Sequence, residues 1–218
     1  YPFIKDEKRC MKCQHCFAIC PKGAIVFDGY RPENSLATKN LPRPSAEEIE
    51  NWLHVRRSVR KFRADDVDAK TLDHILRVLG NVPTGCNARS LTFTCYSTRQ
   101  SVDAFRQAFI HAVEEHRDGS KLLPRWLAVP AIKLREGKSD IFFRGAPGLL
   151  IVTSDETNKA VVSAQEDVAA ACTYFEMLAA AHGLATCWCG FLQLIQKEIP
   201  ELLEKTMGIR RTTPFCAM

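Results

Sequence analysis

The chain has 218 residues, 46% of them hydrophobic and 25% charged, with a formal net charge of +5, which allows one sizeable packed domain plus a small appendage. It contains no run of about eighteen apolar residues, and its start does not resemble a secretory signal, so a helical membrane span is excluded. Basic and acidic residues are mixed along the chain, with no basic block carrying interleaved aromatics, so nucleic acid is not the expected partner. Ten cysteines without regular pairing beyond the first four point to a reducing compartment, with the cytoplasm as the expected location.

Cys10, Cys13, Cys16 and Cys20, the last followed by Pro21, are the first feature with chemistry in it. Three thiolates two residues apart can wrap onto one face of an iron–sulfur cubane, and Cys20-Pro21 then leaves for a second corner. Structural zinc is the alternative, but zinc sites usually separate their two cysteine pairs, and a trailing Cys-Pro adds nothing to one. With Pro21-Lys22-Gly23-Ala24-Ile25 behind it, the run resembles the second half of a bacterial two-cluster ferredoxin. That resemblance implies one or two [4Fe-4S] clusters and a fourth cysteine serving the other cluster. No second run is present and the chain opens at Tyr1, so a preceding run is expected in the natural protein. A three-iron cluster, or recruitment of Cys20 or a distant thiol, is the alternative.

Further along, Ile25-Val26-Phe27 reads as a short strand, Asp28-Gly29 as a turn, and the proline-bearing stretch to Pro44 as a linker. The expected organisation is a ferredoxin-like module over 1–30, a linker over 31–44 and a larger domain over 45–218. Ser45 and Glu48 form a capping box ahead of Ile49, Trp52 and Leu53 at helical spacing, and Asp68 caps a second helix with Leu72, Ile75, Leu76 and Leu79 on one face and Gly80 ending it. Pro83 to Asn87 is a loop, Leu91 to Ser97 a strand with one buried face, and Val102 to His116 an amphipathic helix. Residues 118–139 have no clean period and read as an irregular insert, either a lid or a surface excursion. Gly148 to Thr153 is a continuous apolar run suited to a central strand. Ala160 to His182 predicts the longest and most buried helix, capped by Gly183. Leu184 to Gly190 is short and extended, Leu192 to Met207 is helical with a restart at Pro200, and Thr212 to Met218 begins another strand. The absence of GxGxxG excludes a Rossmann nicotinamide domain.

A cluster passes single electrons whereas most small-molecule reductions need two, so a flavin is the expected transformer between them. Arg56, Ser58 and Arg60 suit a phosphate monoester, because guanidinium groups match its oxygens bidentately; solvated arginines at a helix end are the plainer reading. An extended stretch ending in Gly190 would let backbone approach a planar ring closely, or Cys187, Trp188 and Cys189 are core packing. Arg56-Arg57-Ser58-Val59-Arg60-Lys61-Phe62, Pro83-Thr84-Gly85-Cys86-Asn87, Arg144-Gly145-Ala146-Pro147 and Gly183 to Phe191 occur in the order found in the nitroreductase family, which the chain resembles over nearly all of 45–218.

That resemblance implies an α+β fold with a central mixed or antiparallel sheet flanked by helices, FMN as cofactor, and a homodimer with the flavin at its interface. It places Arg56, Arg57, Ser58 and Arg60 at the FMN phosphate and ribityl chain, and Pro83, Thr84, Gly85 and Asn87 against the isoalloxazine from the partner subunit. Backbone N–H groups of Cys187, Trp188, Cys189 and Gly190 fall near flavin N5 and the pyrimidine edge. Arg89-Ser90 stand where many members carry Gln-Pro, and the chain stops at Met218 before the family's last basic residues and embracing arm, so either an incomplete C-terminus or reduced flavin affinity and dimer stability is expected. No side chain is assigned as catalytic, since the flavin is the reactive centre. The expected function is reduction of a small oxidised molecule, such as a nitro or quinone compound, with electrons from the iron–sulfur module. A redox protein or NAD(P)H is the possible donor. The rival is a non-enzymatic carrier relaying electrons between proteins.

Overall fold

The computed structural model describes residues 7–218 apart from 28, 38, 40, 119–122, 156 and 159. It divides into two compact units, Tyr1–Arg57 and Ser58–Met218.

In the first unit, α1 (His15–Ile19) has no buried residue. It is preceded by left-handed Lys12 and Gln14, with φ of 51° and 61°. The strand expected at 25–27 is absent; Phe27 and Tyr30 form a lone antiparallel bridge across Gly29. Two residues with no third strand to pair and an exposed Val26 beside them cannot sustain a hairpin. The Asp28 half of the expected turn lies outside the described residues. Within the linker, Pro32–Asn34 makes a 3₁₀ turn closed by Ser35 N–H donating to the Pro32 carbonyl at 3.2 Å. The capping box forms as expected: Glu48 N–H donates to Ser45 Oγ at 3.1 Å and Ser45 N–H to Glu48 Oε2 at 2.7 Å. It starts α2 (Ala46–Val55), whose Ile49, Leu53 and Val55 are exposed.

The second unit is built on an antiparallel three-stranded sheet in the order β1 (Leu91–Tyr96), β2 (Leu149–Ser154), β3 (Phe215–Ala217). Phe93 faces Val152 in one pair and Val152 faces Cys216 in the other. Because alternate residues of a strand point to opposite faces, the unbroken apolar run of β2 serves two cores. Leu149 and Ile151 join α4 (Arg99–Asp118), α5 (Arg125–Arg135), α7 (Gly190–Glu198) and α8 (Pro200–Met207). Leu150 and Val152 join α3 (Ala69–Leu79) and α6 (Ala164–Ala181).

Asp68 caps α3 by accepting Thr71 N–H at 2.7 Å, and Leu72, Ile75 and Leu79 are buried as its periodicity requires. Helix α6 ends in a Schellman turn, Gly183 at φ 74° and Leu184 N–H on the Ala179 carbonyl. At 18 residues it is shorter than the 20 of α4, contrary to expectation. Within 118–139 the structure has a regular helix, α5, carrying Pro130 inside it. Its period is hidden because only Leu127 and Ala131 are fully buried, while Trp126 and Leu134 contribute partly. The insert's residues 119–122 lie outside the described residues.

Candidate functional site

The four N-terminal cysteines come first. Cys13 and Cys16 are exposed, while Cys10 and Cys20 are half-buried. Among the described residues no group of three or more His, Cys, Asp or Glu side chains is gathered to hold a metal ion. Cys20 alone has a prepared setting. Ala24 N–H donates to its Sγ at 3.3 Å and, with neighbouring amides, holds the thiol below its ordinary range.

In the second unit a cavity of about 960 Å³ is lined by Arg60, Lys61, Tyr96, Phe143, Arg144 and the stretch Thr186–Gly190. Three hydrogen bonds assemble its walls. Val59 N–H donates to the Thr186 carbonyl at 2.9 Å, seating the Arg60 stretch beside residues 184–190. Cys189 N–H donates to the Ala217 carbonyl at 2.8 Å, tying the same stretch to the end of β3. The Cys189 thiol donates to the Phe142 carbonyl at 3.1 Å. The segment 184–190 is thus an extended connector held on both sides, as the sequence suggests, though it is not a strand of the sheet. Its Cys189 amide is already engaged; Gly190, as the first residue of α7, leaves its own N–H without an intrahelical partner. A Cβ added at Gly190 would meet nothing within 4 Å, so a planar group can approach its backbone.

The acids around the cavity are occupied. Asp65 pairs with Arg63 at 2.9 Å, Asp66 Oδ1 accepts Arg99 N–H at 2.7 Å, and Asp68 is the cap of α3. Burial pushes the Cys95 thiol, on the same wall, up to about 11 and the Cys189 thiol up to about 12, so both are neutral at ordinary pH. None of the described residues of 118–139 lines the cavity. The insert is, in its described part, a helix packed on α4.

The remaining sequence-predicted residues fall elsewhere. Arg56 and Arg57 belong to the first unit, where Arg57 Nη1 donates to the His54 and Arg56 carbonyls, both at 2.8 Å. Ser58 gives its carbonyl to Arg60 Nη1 at 3.4 Å and is not a lining residue. Pro83, Thr84, Gly85 and Asn87 are also outside the cavity wall; Gly85–Asn87 is a 3₁₀ turn with Cys86 and Asn87 left-handed at φ 52° and 53°. That turn is fixed by a residue sequence reading misses, the buried Asp167. Also missed are Arg106 and Asp140, which shape the wall at 140–147; only their charge inside apolar surroundings could have signalled them.

A profile of the Nitroreductase family matches residues 53–218. This chain belongs to the nitroreductase family. Among solved structures, an FMN-bound nitroreductase from Bacteroides fragilis is similar at 21% identity and TM-score 0.59, covering 78% of this chain and 86% of that one. The FMN-dependent nitroreductase NfnB of Mycobacterium smegmatis, in complex with NADPH, is similar at 18% identity and TM-score 0.55, covering 79% and 86%. A nitroreductase-like protein from Bacillus cereus gives 18% identity and 0.56, covering 81% and 86%. No curated protein matches by sequence. These likenesses fix the α+β fold of the nitroreductase region. No described helix is long and apolar enough to cross a membrane.

Proposed function

We propose that the chain is an FMN-dependent oxidoreductase that reduces a small oxidised molecule such as a nitro or quinone compound. The observation that carries this reading is one cavity lined both by Arg60 and by the Thr186–Gly190 backbone. Its size lies within the roughly 300–1,000 Å³ of cofactor and ligand sites. Cationic Arg60, aromatic walls and the open backbone at Gly190 fit a planar ring bearing a phosphate. FMN bound there would supply both hydride and single-electron chemistry. Arg60, with Ser58 two residues before it, would hold its phosphate and ribityl chain, and Cys187 to Gly190 would flank its ring. Pro83, Thr84, Gly85 and Asn87 would act from a second copy in a homodimer, consistent with their place outside this chain's own cavity.

The chain's own side chains bind and shield in this scheme. Tyr96, Phe143 and Trp188 exclude water from the ring face, and the neutral thiols of Cys95 and Cys189 add no charge to it. NAD(P)H as direct donor is supported by the NADPH complex of the M. smegmatis relative. An iron–sulfur module over 1–30 as donor, joined by the 31–44 linker, is supported by the Cys10, Cys13, Cys16, Cys20-Pro21 run alone. A small oxidised substrate in the cytoplasm completes the reading.

The test is a visible spectrum with flavin, iron and sulfide quantitation on the purified protein and on the Cys13→Ala and Arg60→Ala variants. Flavin kept by the cysteine variant and lost by the arginine variant is the expected result. Protein that takes up no FMN on reconstitution ends the flavin reading, and protein with flavin but no iron or sulfide after anaerobic reconstitution ends the cluster reading. Flavin without turnover of any nitro or quinone compound would favour the electron carrier.

A further inference from the structure

Arg144 is a non-glycine residue in the left-handed region, with φ of 57°, followed by Gly145 at 65°. Such a conformation is strained and persists only where the surroundings impose it. Here they do. The Asp140 carboxylate accepts Phe143 N–H at 2.8 Å and Gly145 N–H at 3.0 Å, grasping the backbone on both sides of Arg144. Arg106 Nε holds that carboxylate at 3.1 Å, and its Nη2 donates to the Ala146 carbonyl at 2.7 Å. The side chains of this clamp are only 7% and 13% exposed. Arg99 adds a bond to the Gly145 carbonyl at 3.4 Å. The clamp fixes the turn from both sides and leaves the Arg144 guanidinium out of its own bonds.

Arg144 lines the cavity, and its guanidinium makes no hydrogen bond or ion pair with the described residues. Its charge acts on the Cys189 thiol, which puts it near the start of α7. The cavity acids that could neutralise it are the Asp65, Asp66 and Asp68 carboxylates, each already engaged. Lys61 and Arg60 reach the cavity from a different stretch of chain, and one phosphate accounts for that end. A second cation beside an aromatic wall of Tyr96, Phe143 and Trp188 offers a place for a second anion.

Resting on the assignment of this cavity as the redox site, we infer that Arg144 is a specificity-determining residue that recognises the carboxylate of an aromatic substrate. The preferred substrate class is then a nitroaromatic or quinone acid rather than a neutral analogue. A planar guanidinium takes a carboxylate bidentately, whereas an amide of the same shape offers one acceptor and no charge.

Equilibrium binding of benzoate and of benzamide to the purified protein, by titration calorimetry, tests this without requiring turnover. Benzoate is expected to bind at least about tenfold more tightly. Arg144→Gln should abolish the preference while leaving benzamide affinity unchanged, and Arg144→Lys should restore part of it, because charge survives without the fork. Circular dichroism of each variant confirms folding. Equal affinities, binding of neither compound, or a benzoate preference that survives Arg144→Gln overturns the inference. Flavin content, measured on the same samples, fails separately: protein without flavin that still prefers benzoate refutes the redox assignment and not the anion site.

Discussion

Asp167 accepts the Gly85 amide on Oδ1 at 2.9 Å, joining the first turn of α6 to the loop that follows Pro83 across 82 residues of sequence. Ser163 Oγ donates to the same oxygen at 3.1 Å. Asp167 is 5% exposed, and its other oxygen, Oδ2, has no hydrogen-bond partner among the described residues. Asp167→Ala should strand the Gly85 amide at a cost of about 1–3 kcal/mol. Asp167→Asn keeps an acceptor for that amide and removes a buried charge, so it should be clearly milder. Urea unfolding of both variants measures this; an asparagine variant as damaged as the alanine one would refute the account.

The same contact forbids a side chain at Gly85. A Cβ there would lie 2.1 Å from Ser163 Oγ and 3.2 Å from Val162 Cγ2, so Gly85→Ala must either swing the Ser163 hydroxyl off Asp167 or push the loop off α6. A loss of about 1–3 kcal/mol is expected, as for other overpacked sites. Combining it with Ser163→Gly should recover part of the loss, read from the shift in thermal midpoint.

Arg106 and Asp140 form a nearly buried pair at 3.1 Å, and Arg106 also pairs with Asp103. Removing one partner leaves the other charge uncompensated, so Arg106→Met should cost about 3–5 kcal/mol. The double variant Arg106→Met with Asp140→Asn should lose less than the sum of the two single changes, because the lone buried anion is gone. A double-mutant cycle by chemical denaturation decides it.

Phe109 stands edge-on to both Phe142 and Phe143, with ring centroids 5.3 and 5.6 Å away. Phe109→Ala should therefore cost about 3–5 kcal/mol and loosen the wall that those two residues give the cavity. Hydrogen exchange at residues 140–147 should rise with it; an unchanged exchange rate would mean the wall stands by itself.

Alkaline pH should destabilise the second unit. Burial raises the Cys95 and Cys189 thiols from 9.0 to about 11 and about 12, so the folded state holds these protons more tightly than the unfolded chain. The resulting stabilisation is fully present below the ordinary thiol value and fades as pH climbs from about 9 through the folded values. Cys95→Val should flatten that decline between about 9 and about 11, leaving the part above it to Cys189. Urea midpoints measured across the range check it, and identical slopes for the two proteins would argue against it.

Much of this molecule is legible without coordinates where the signal is local. The capping box at Ser45 and Glu48, the Asp68 cap, the Gly183 turn and the helix restart at Pro200 are each set by a few neighbouring residues and appear where their chemistry puts them. The strand at 25–27 fails for the complementary reason: its apolar pattern is adequate, but among the described residues its only pairing is the lone Phe27–Tyr30 bridge. Helix α5 escapes sequence reading because Pro130 and a narrow buried face mask its period.

Sequence alone, through ordered motifs spread over Arg56 to Phe191, determined family and fold class, since each motif is a local backbone requirement that survives when the rest of the chain has diverged. Tertiary structure decided which of those motifs meet: Arg60 and Thr186–Gly190 share a cavity, whereas Pro83 to Asn87 lie outside its wall. It also supplied Asp167, Arg106 and Asp140. A buried charge acquires meaning only through partners that are distant in sequence, and no pattern of neighbours announces which amide or guanidinium will arrive beside it.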